Sequence, residues 1–232
     1  MCGIPQTQIT IIVVAAGSGS RYGSSLPKQF CLLEGRPVLM HTLDALRSAC
    51  PEARIIVVLS PSMTAYWRGL CSEYGFASPE ICPGGDTRWH SVRNAVGMCS
   101  ANGIILVHDG ARPLVDGLTV HRVIGCVRAT GAAIPAVAVT DSLRRYDSAG
   151  SHAVDRSRYC AVQTPQGFDA ALLKDAYGRP YSSAFTDDAS VVEAAGHTIS
   201  LVEGAPSNIK ITNPGDIDIA ALLMRRGGTL SK

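Results

Sequence analysis

Continuous apolar runs alternate with segments of helical periodicity, and this alternation restricts the possible folds more than any other feature of the sequence. Three runs rich in β-branched residues are Ile9–Ala16, Arg54–Leu59 and Gly103–His108. Each lacks the polar alternation of a half-exposed strand, which is typical of strands covered on both faces of a parallel sheet. The first run spans about eight residues, too few to cross a bilayer, so no membrane association is expected.

The segments between these runs carry apolar residues at the spacing of a helix face. Helices are predicted at Pro37–Arg47, Ser91–Met98 and Leu118–Thr130, and a further strand at Ala132–Val139. Such alternation predicts a doubly wound, mostly parallel, Rossmann-like α/β sheet. No linker-like change of composition divides residues 1–232, so a single domain is expected. In such sheets, ligands bind at the carboxyl ends of the strands.

A polar stretch, Asp141–Tyr159, interrupts this rhythm. Asp147–Gly150 has the composition of a turn, which predicts a β-hairpin that protrudes from the main sheet. We call the segment at about 139–160 the arm. These residues fit either a solvated surface hairpin or a hairpin that docks on a partner subunit. The second alternative is considered because an isolated hairpin is only marginally stable in water and gains stability by packing on another surface.

Charge and cysteine spacing exclude several classes of protein. The net charge of +2 argues against an extended nucleic-acid surface. The eight cysteines are at least 11 residues apart, so the close pairs of zinc sites and redox motifs are missing. The amino-terminal residues show no basic export signal. A reduced, cytoplasmic protein is therefore expected.

A glycine-rich loop follows the first predicted strand. Gly17 and Gly19 allow backbone N–H groups to approach an anion closely, and Arg21 and Lys28 add positive charge. This combination is typical of phosphate recognition. The loop departs from the dinucleotide fingerprint, since its third glycine, Gly23, comes one position late, and no GK[ST] follows as in a P-loop.

This loop and five later motifs resemble the nucleotidyltransferases that make nucleoside-diphosphate sugars and alcohols. The motifs are Ala15–Gly23 with Leu26–Phe30, Gly84–Arg88 with Ser91–Val92, Val107–Pro113, Thr164–Gln166, Thr186–Ser190 and Asn208–Thr212. Their order and spacing, from residue 11 to about residue 224, narrow the resemblance to one family of cytidylyltransferases. That family joins CTP and 2-C-methyl-D-erythritol 4-phosphate to give 4-diphosphocytidyl-2-C-methyl-D-erythritol and pyrophosphate in non-mevalonate isoprenoid precursor synthesis.

The resemblance implies catalysis by positioning and by positive charge. The 4-phosphate attacks the α-phosphate of CTP, and because a phosphate monoester is already an anionic nucleophile, no strong general base is needed. Arg21 and Lys28 are expected to stabilise the transition state. Arg156 and Lys210 are expected to hold the substrate phosphate for in-line attack.

The resemblance also implies the binding residues. Those expected to bind the nucleotide are Ala15, Ala16, Gly17, Gly19, Lys28, Gly85, Asp86, Ser91, Asp109 and Gly110, of which Gly85, Asp86 and Ser91 read cytosine. Those expected to bind the alcohol phosphate are Asp109, Arg112, Ser142, Arg156, Thr186, Asp187 and Lys210. Asp109 is the expected ligand of Mg²⁺ or another divalent cation. Thr186 and Asp187 also open a predicted helix, so an N-cap role and a substrate contact both remain open.

Finally, the resemblance implies a homodimer in which Ser142 and Arg156 of the arm complete the neighbouring subunit's site, with Arg112 near the boundary. The chain has Gly110 where the family often has Ala, which is expected to loosen the fit around the nucleotide. One alternative is a D-ribitol-5-phosphate cytidylyltransferase, which tends to have Ser-Val in place of Gly110–Ala111. Another is an NAD(P)-dependent dehydrogenase, which should carry a carboxylate where Leu59–Pro61 stands. A non-catalytic nucleotide sensor would need fewer cations.

Overall fold

A computed structural model describes residues 8–17 and 26–229 and has an eight-stranded mixed sheet between two layers of helices. The strands of the main sheet are β1 (Ile9–Val14), β4 (Arg54–Leu59), β5 (Glu80–Pro83), β6 (Ile104–Asp109), β7 (Ala132–Ala138), β10 (Cys160–Val162), β11 (Gln166–Asp169) and β12 (Ser200–Glu203). There are also two small two-stranded sheets among the described residues, one formed by β2 (Leu32–Leu33) with β3 (Arg36–Pro37) and the other by β8 (Arg144–Asp147) with β9 (Gly150–Ala153). The helices are α1 (Val38–Ala49), α2 (Thr64–Glu73), α3 (Arg88–Gly97), α4 (Gly117–Thr130), α5 (Ala170–Gly178), α6 (Asp188–Ala194) and α7 (Gly215–Thr229).

The main sheet has the order β10-β7-β11-β6-β1-β4-β5, with β12 also paired to β7. The central strands β6, β1, β4 and β5 are parallel, whereas β11 runs antiparallel between β6 and β7. The predicted doubly wound, mostly parallel class is therefore confirmed, with an antiparallel insertion that the sequence pattern did not indicate.

Each face of the sheet has its own apolar core, which explains why the predicted strands are continuous apolar runs. In β1, Ile11 and Val13 pack in the core beneath α1, α2 and α4. Ile12, between them, packs in the core beneath α3, α5 and α6. Because all three side chains are fully buried, a polar residue at any of these positions would lose its solvation without a partner.

The hairpin is found at the predicted turn. Strands β8 and β9 pair antiparallel with each other, and every residue in them is exposed. Gly150 has a φ of +122°, a backbone conformation that favours glycine. Docking of this arm on a second subunit stays a prediction.

Two further observations concern the class of protein. Seven cysteines lie in the described ranges, and all seven are free thiols. Within the same ranges, none of the helices combines the length and the apolar character needed to span a bilayer.

Candidate active site

Backbone hydrogen bonds join the loops that follow three parallel strands at their carboxyl edge. The amide of Ala15 donates to the carbonyl oxygen of Val58 (2.9 Å), and the amide of Gly110 donates to that of Val14 (2.9 Å). The amide of Gly84 donates to the carbonyl oxygen of Leu59 (2.8 Å). These bonds place the loops after β1, β5 and β6 side by side at the edge where ligands bind in such sheets.

Gln29 fixes the backbone of the first loop. Its buried Nε2 donates to the carbonyl oxygens of Ala15 (2.7 Å) and Gly17 (3.1 Å). Lys28 precedes Gln29 in a short 3₁₀ turn, so it is adjacent in sequence to the residue that contacts the loop. Of the predicted residues here, Gly19 and Arg21 lie outside the described residues.

The predicted cytosine-reading segment begins in close contact with this loop. A Cβ on Gly84 would lie 2.5 Å from the Cβ of Ala16, so only glycine fits there. The amide of Gly85 donates to Oγ of Ser91 (3.1 Å), and that hydroxyl donates to the carbonyl oxygen of Thr87 (2.9 Å). Gly85 and Asp86 are exposed at the edge of the sheet, and their contact with cytosine stays a prediction.

Gly110 lies under the first loop and leaves no open space there. A Cβ at this position would lie 3.0 Å from the Cβ of Ala15 and 3.1 Å from Cδ1 of Leu39. Both distances are shorter than ordinary van der Waals contact. The described backbone is therefore already closely packed beside the glycine.

Asp109, the last residue of β6, gathers three cations from different parts of the chain. Its Oδ2 lies 2.8 Å from Nζ of Lys210 and 3.4 Å from Nε of Arg112, and its Oδ1 lies 3.8 Å from Nε of Arg88. We call these four residues the Asp109 cluster. Burial alone would raise the pKa of Asp109, but the charges of Arg88, Lys210 and Arg112 outweigh it and hold this pKa well below its usual range.

Arg88 is the member of the cluster that the sequence analysis did not select. Its two terminal nitrogens bind both carboxylate oxygens of Asp188, at 2.9 and 2.7 Å. Burial disfavours the charge of Arg88, but the attraction of Asp188 more than compensates and raises its pKa. The hydroxyl of Tyr177 also donates to Asp188 (2.6 Å). A charged pair therefore connects the start of α3 to the start of α6 beneath the site.

Asp187 is the N-cap of α6, as its position in the sequence predicted. Its Oδ1 accepts from the amide of Ser190 (2.9 Å), and its Oδ2 accepts from Nε2 of Gln166 (2.8 Å). Both carboxylate oxygens thus have protein partners. Thr186 is exposed beside this cap, and its contact with substrate stays a prediction.

Arg112 is held inside the chain, whereas the two arm residues are exposed. Nη1 of Arg112 donates to the carbonyl oxygen of Asn208 (2.7 Å), and only 11% of its side chain is exposed. Arg156 donates to the carbonyl oxygen of Thr140 within the arm. Among the described residues, neither Ser142 nor Arg156 forms a hydrogen bond or ion pair with the Asp109 cluster, so one chain does not unite all the predicted site residues.

The donor set of the site limits what kind of metal it could bind. In ranges 8–17 and 26–229, no three His, Cys, Asp or Glu side chains lie close enough together to hold an ion. Asp109 Oδ2 is occupied by Lys210, but Oδ1 is beyond hydrogen-bond distance of Arg88. A Mg²⁺ ion that takes its other ligands from phosphates and water needs only one such oxygen, so the residues fit this mode of binding.

Three clustered cations beside a glycine-containing loop, at the carboxyl edge of a doubly wound sheet, are the arrangement expected of a nucleotidyltransferase. Residues 9–226 match the family model IspD, 2-C-methyl-D-erythritol 4-phosphate cytidylyltransferase. The chain belongs to this family and is therefore a cytidylyltransferase.

Individual relatives agree over nearly the whole chain. The Bacteroides thetaiotaomicron protein of that name is 45% identical over 216 residues, which is 93% of this chain and 99% of the relative. The Bacillus velezensis protein of that name is 37% identical and covers 94% of this chain and 96% of the relative. The crystal structure of the Thermus thermophilus enzyme superposes with a TM-score of 0.71 at 33% identity, covering 92% of this chain and 98% of that one.

Proposed function

We propose that the Asp109 cluster and the loops beside it join CTP to 2-C-methyl-D-erythritol 4-phosphate, giving 4-diphosphocytidyl-2-C-methyl-D-erythritol and pyrophosphate for isoprenoid precursor synthesis. The observation that carries the residue assignment is the contact of Lys210 with Asp109 (2.8 Å), beside Arg112. This contact holds the ammonium group of Lys210, whose side chain is 42% exposed, at the carboxyl edge of β6, where an incoming phosphate can reach it.

The reaction needs close approach of two polyanions more than it needs proton transfer. An oxygen of the 4-phosphate attacks the α-phosphorus of CTP, and the bond from that phosphorus to the bridging oxygen of pyrophosphate breaks. Lys210 holds the attacking phosphate, and Lys28 neutralises charge that develops on the α-phosphate. Cations fixed before the substrates arrive stabilise this charge with little reorganisation, which is the usual source of catalysis in phosphoryl transfer.

The nucleotide is read by the loops at residues 15–17 and 84–91. Glycines in both loops let the triphosphate and the base approach the backbone closely, and the bond between Gly85 and Ser91 fixes the second loop. Arg21 and Gly19 complete the phosphate site in this proposal. Thr186 and Asp187 face the alcohol, with the cap at Asp187 holding the backbone of Thr186 in place.

Asp109 would hold Mg²⁺ or another divalent cation through its Oδ1, with the phosphates of CTP supplying further ligands. When bound, the ion neutralises part of the triphosphate charge. Asp109 also keeps Lys210 and Arg112 in place, since both contact its other oxygen.

The active unit is a homodimer of single-domain chains, each lending its arm to the neighbour. Strands β8 and β9 of the arm are exposed and form a sheet separate from the main one, while Ser142 and Arg156 lie on the arm apart from the Asp109 cluster. An isolated hairpin gains stability by packing on another surface. The compartment is the cytoplasm, which the free thiols of the described cysteines support.

A direct assay tests the reaction. Purified protein is mixed with CTP, Mg²⁺ and either 2-C-methyl-D-erythritol 4-phosphate or D-ribitol 5-phosphate, and pyrophosphate release is followed. Release with the first substrate is expected. Release with ribitol phosphate alone would overturn the substrate assignment. Arg54→Met is the control variant, since its pair with Glu80 joins β4 to β5 away from the cluster, and its turnover should equal that of the wild type.

Mixed dimers test the shared site. Lys210→Met and Arg156→Met are each expected to be nearly inactive alone. After equal mixing and exchange, half of the dimers are hybrids with one intact site of two, so about a quarter of wild-type activity should return. No recovery, despite exchange shown by mass spectrometry, would contradict the contribution of the arm.

A further inference from the structure

We propose that Thr164 and His108 are positioning residues for this reaction, which act by fixing Asp109 and the segment that carries Lys210. The inference rests on the proposed function, because it concerns the same site. It starts from a closed set of hydrogen bonds among Asp109, Thr164, His108, Arg112 and Asn208, which we call the hydrogen-bond ring.

The first half of the ring runs from Asp109 to Arg112. The amide of Asp109 donates to Oγ1 of Thr164 (3.0 Å), which lies 3.1 Å from Nδ1 of His108. Nε2 of the same imidazole lies 3.1 Å from the carbonyl oxygen of Arg112. The hydroxyl of Thr164 and the imidazole of His108 thus connect the end of β6 to the backbone of Arg112, a second member of the Asp109 cluster.

The second half returns from Arg112 to Thr164. Nη1 of Arg112 donates to the carbonyl oxygen of Asn208 (2.7 Å), and Nδ2 of Asn208 donates to the carbonyl oxygen of Thr164 (2.8 Å). Asn208 stands two residues before Lys210. The ring therefore joins the end of β6, the segment before β11 and the segment that presents Lys210.

Full burial favours the uncharged form of the His108 imidazole, and for that form only one arrangement of protons satisfies every contact in the ring. An amide N–H can only donate, so Oγ1 of Thr164 accepts from Asp109. A carbonyl oxygen can only accept, so Nε2 of His108 carries a proton. The Thr164 hydroxyl then donates to the unprotonated Nδ1 of a neutral imidazole. Threonine is used as acceptor and donor at once, a pair of roles that serine can fill and valine cannot.

Burial makes the ring a rigid support. His108 and Asn208 are fully buried and Thr164 is nearly so, which means that water cannot readily replace a lost bond. Removing the hydroxyl leaves the amide of Asp109 without its acceptor and lets the carboxylate move. Because Lys210 is held by that carboxylate, its position at the reacting phosphate changes with it.

The substitutions Thr164→Val and Thr164→Ser separate positioning from packing. For Thr164→Val we expect kcat to fall on the order of tenfold, since small displacements of charged groups are costly in such sites. The KM for CTP should stay within about twofold, because Asp109 is the one nucleotide-binding residue of this proposal in the ring and takes part through its backbone amide. Thr164→Ser should restore most of kcat. Thr119→Val is the matched control: its buried hydroxyl has no hydrogen-bond partner among the described residues, so kcat should not change.

A double variant tests whether Thr164 acts through Lys210. In the Lys210→Met background, Thr164→Val should cost little further activity, because the group that it positions is already gone. Fully additive losses would overturn the proposal, as would a kcat for Thr164→Val equal to that of Thr119→Val. If Thr164→Val does not fold, the same comparison is made with His108→Gln, which keeps a donor toward Arg112 and loses the acceptor for Thr164.

A readout without turnover distinguishes this proposal from the proposed function. In ¹⁵N NMR of the imidazole rings, the His108 signal should report a protonated Nε2 and an unprotonated Nδ1 in the wild type and in Thr164→Ser. If this signature is present but the wild type releases no pyrophosphate, the proposed function fails and the ring stands. A protonated Nδ1 in the wild type would refute the ring itself.

Discussion

Replacing Arg88 with methionine should destabilise the protein strongly, because it leaves a buried carboxylate without its charged partner. The side chain of Asp188 has no solvent exposure, and Arg88 supplies two of its hydrogen bonds, at 2.9 and 2.7 Å. Removing one partner of a buried pair costs about 3–5 kcal/mol. Since 30% of the Arg88 side chain is exposed, water can partly replace it, and the lower end, about 3 kcal/mol, is expected.

The free energy of unfolding, measured by urea denaturation, checks this value. For a chain of this size, about 3 kcal/mol corresponds to a fall in Tm of roughly 6–12 °C. Arg54→Met is the matched control, because it removes an arginine whose partner Glu80 is exposed and leaves no buried charge behind. Arg54 also donates to the carbonyl oxygen of Met98 (2.8 Å), so the control should lose about 1 kcal/mol.

A double-mutant cycle identifies the cause of the loss. Arg88→Met with Asp188→Leu removes both charges, so the double variant should be more stable than Arg88→Met alone. If Arg88→Met loses no more stability than Arg54→Met, or if Asp188→Leu gives no rescue, then the buried pair does not govern the stability of this region and the reasoning is refuted.

Three further outcomes follow from the same contacts. Lys210→Met should lower kcat on the order of 10²-fold in the pyrophosphate assay, while Lys210→Arg retains part of it. Burial lowers the pKa of His108 to about 4, below the ordinary value near 6.5, so the unfolded chain binds a proton that the folded chain refuses. Stability is therefore lost as the pH falls below 6.5. Between pH 7.5 and pH 5, the free energy of unfolding of His108→Gln, measured by urea denaturation, should fall by on the order of 2 kcal/mol less than that of the wild type. Gly110→Ala should lower stability by about 1 kcal/mol and raise the KM for CTP, since its Cβ would crowd Ala15; an unchanged KM would show that the loop can yield.

The part of the fold that local periodicity determines was predictable. Strands β1, β4 and β6 are long apolar runs, and their observed bounds lie within two residues of the predicted ones. Strand β11 was not predicted, because its four residues carry only one large apolar side chain. Its place depends on distant packing: a Cβ on Gly167 would lie 2.5 Å from Val123 of α4, so this glycine allows the helix to lie directly on the strand.

The candidate site could be selected from the sequence where a suitable residue type coincides with the end of a predicted strand. Asp109 and the first loop follow apolar runs, so the rule for strand ends was sufficient to select them. Gln29, Thr164 and Asn208 could not be selected in this way, because each acts through hydrogen bonds to residues 12 or more positions away. The identity of such partners depends on the folded chain and not on local sequence.

Arg88 did carry a signal, which is visible in retrospect. It is the first residue of α3, directly after the N-cap Thr87, where the helix dipole disfavours a positive charge. A cation in this position needs carboxylates nearby, and the structure supplies Asp188 and Asp109. Asp188 is itself the first residue of α6, where a negative charge is favoured. The unfavourable charge of Arg88 at the N-terminus of α3 is thus neutralised by the favourable charge of Asp188 at the N-terminus of α6. Residues 84–87, which we propose read the nucleotide, precede Arg88, and Thr186 precedes Asp188. This single pair therefore fixes the spacing between the two parts of the proposed site.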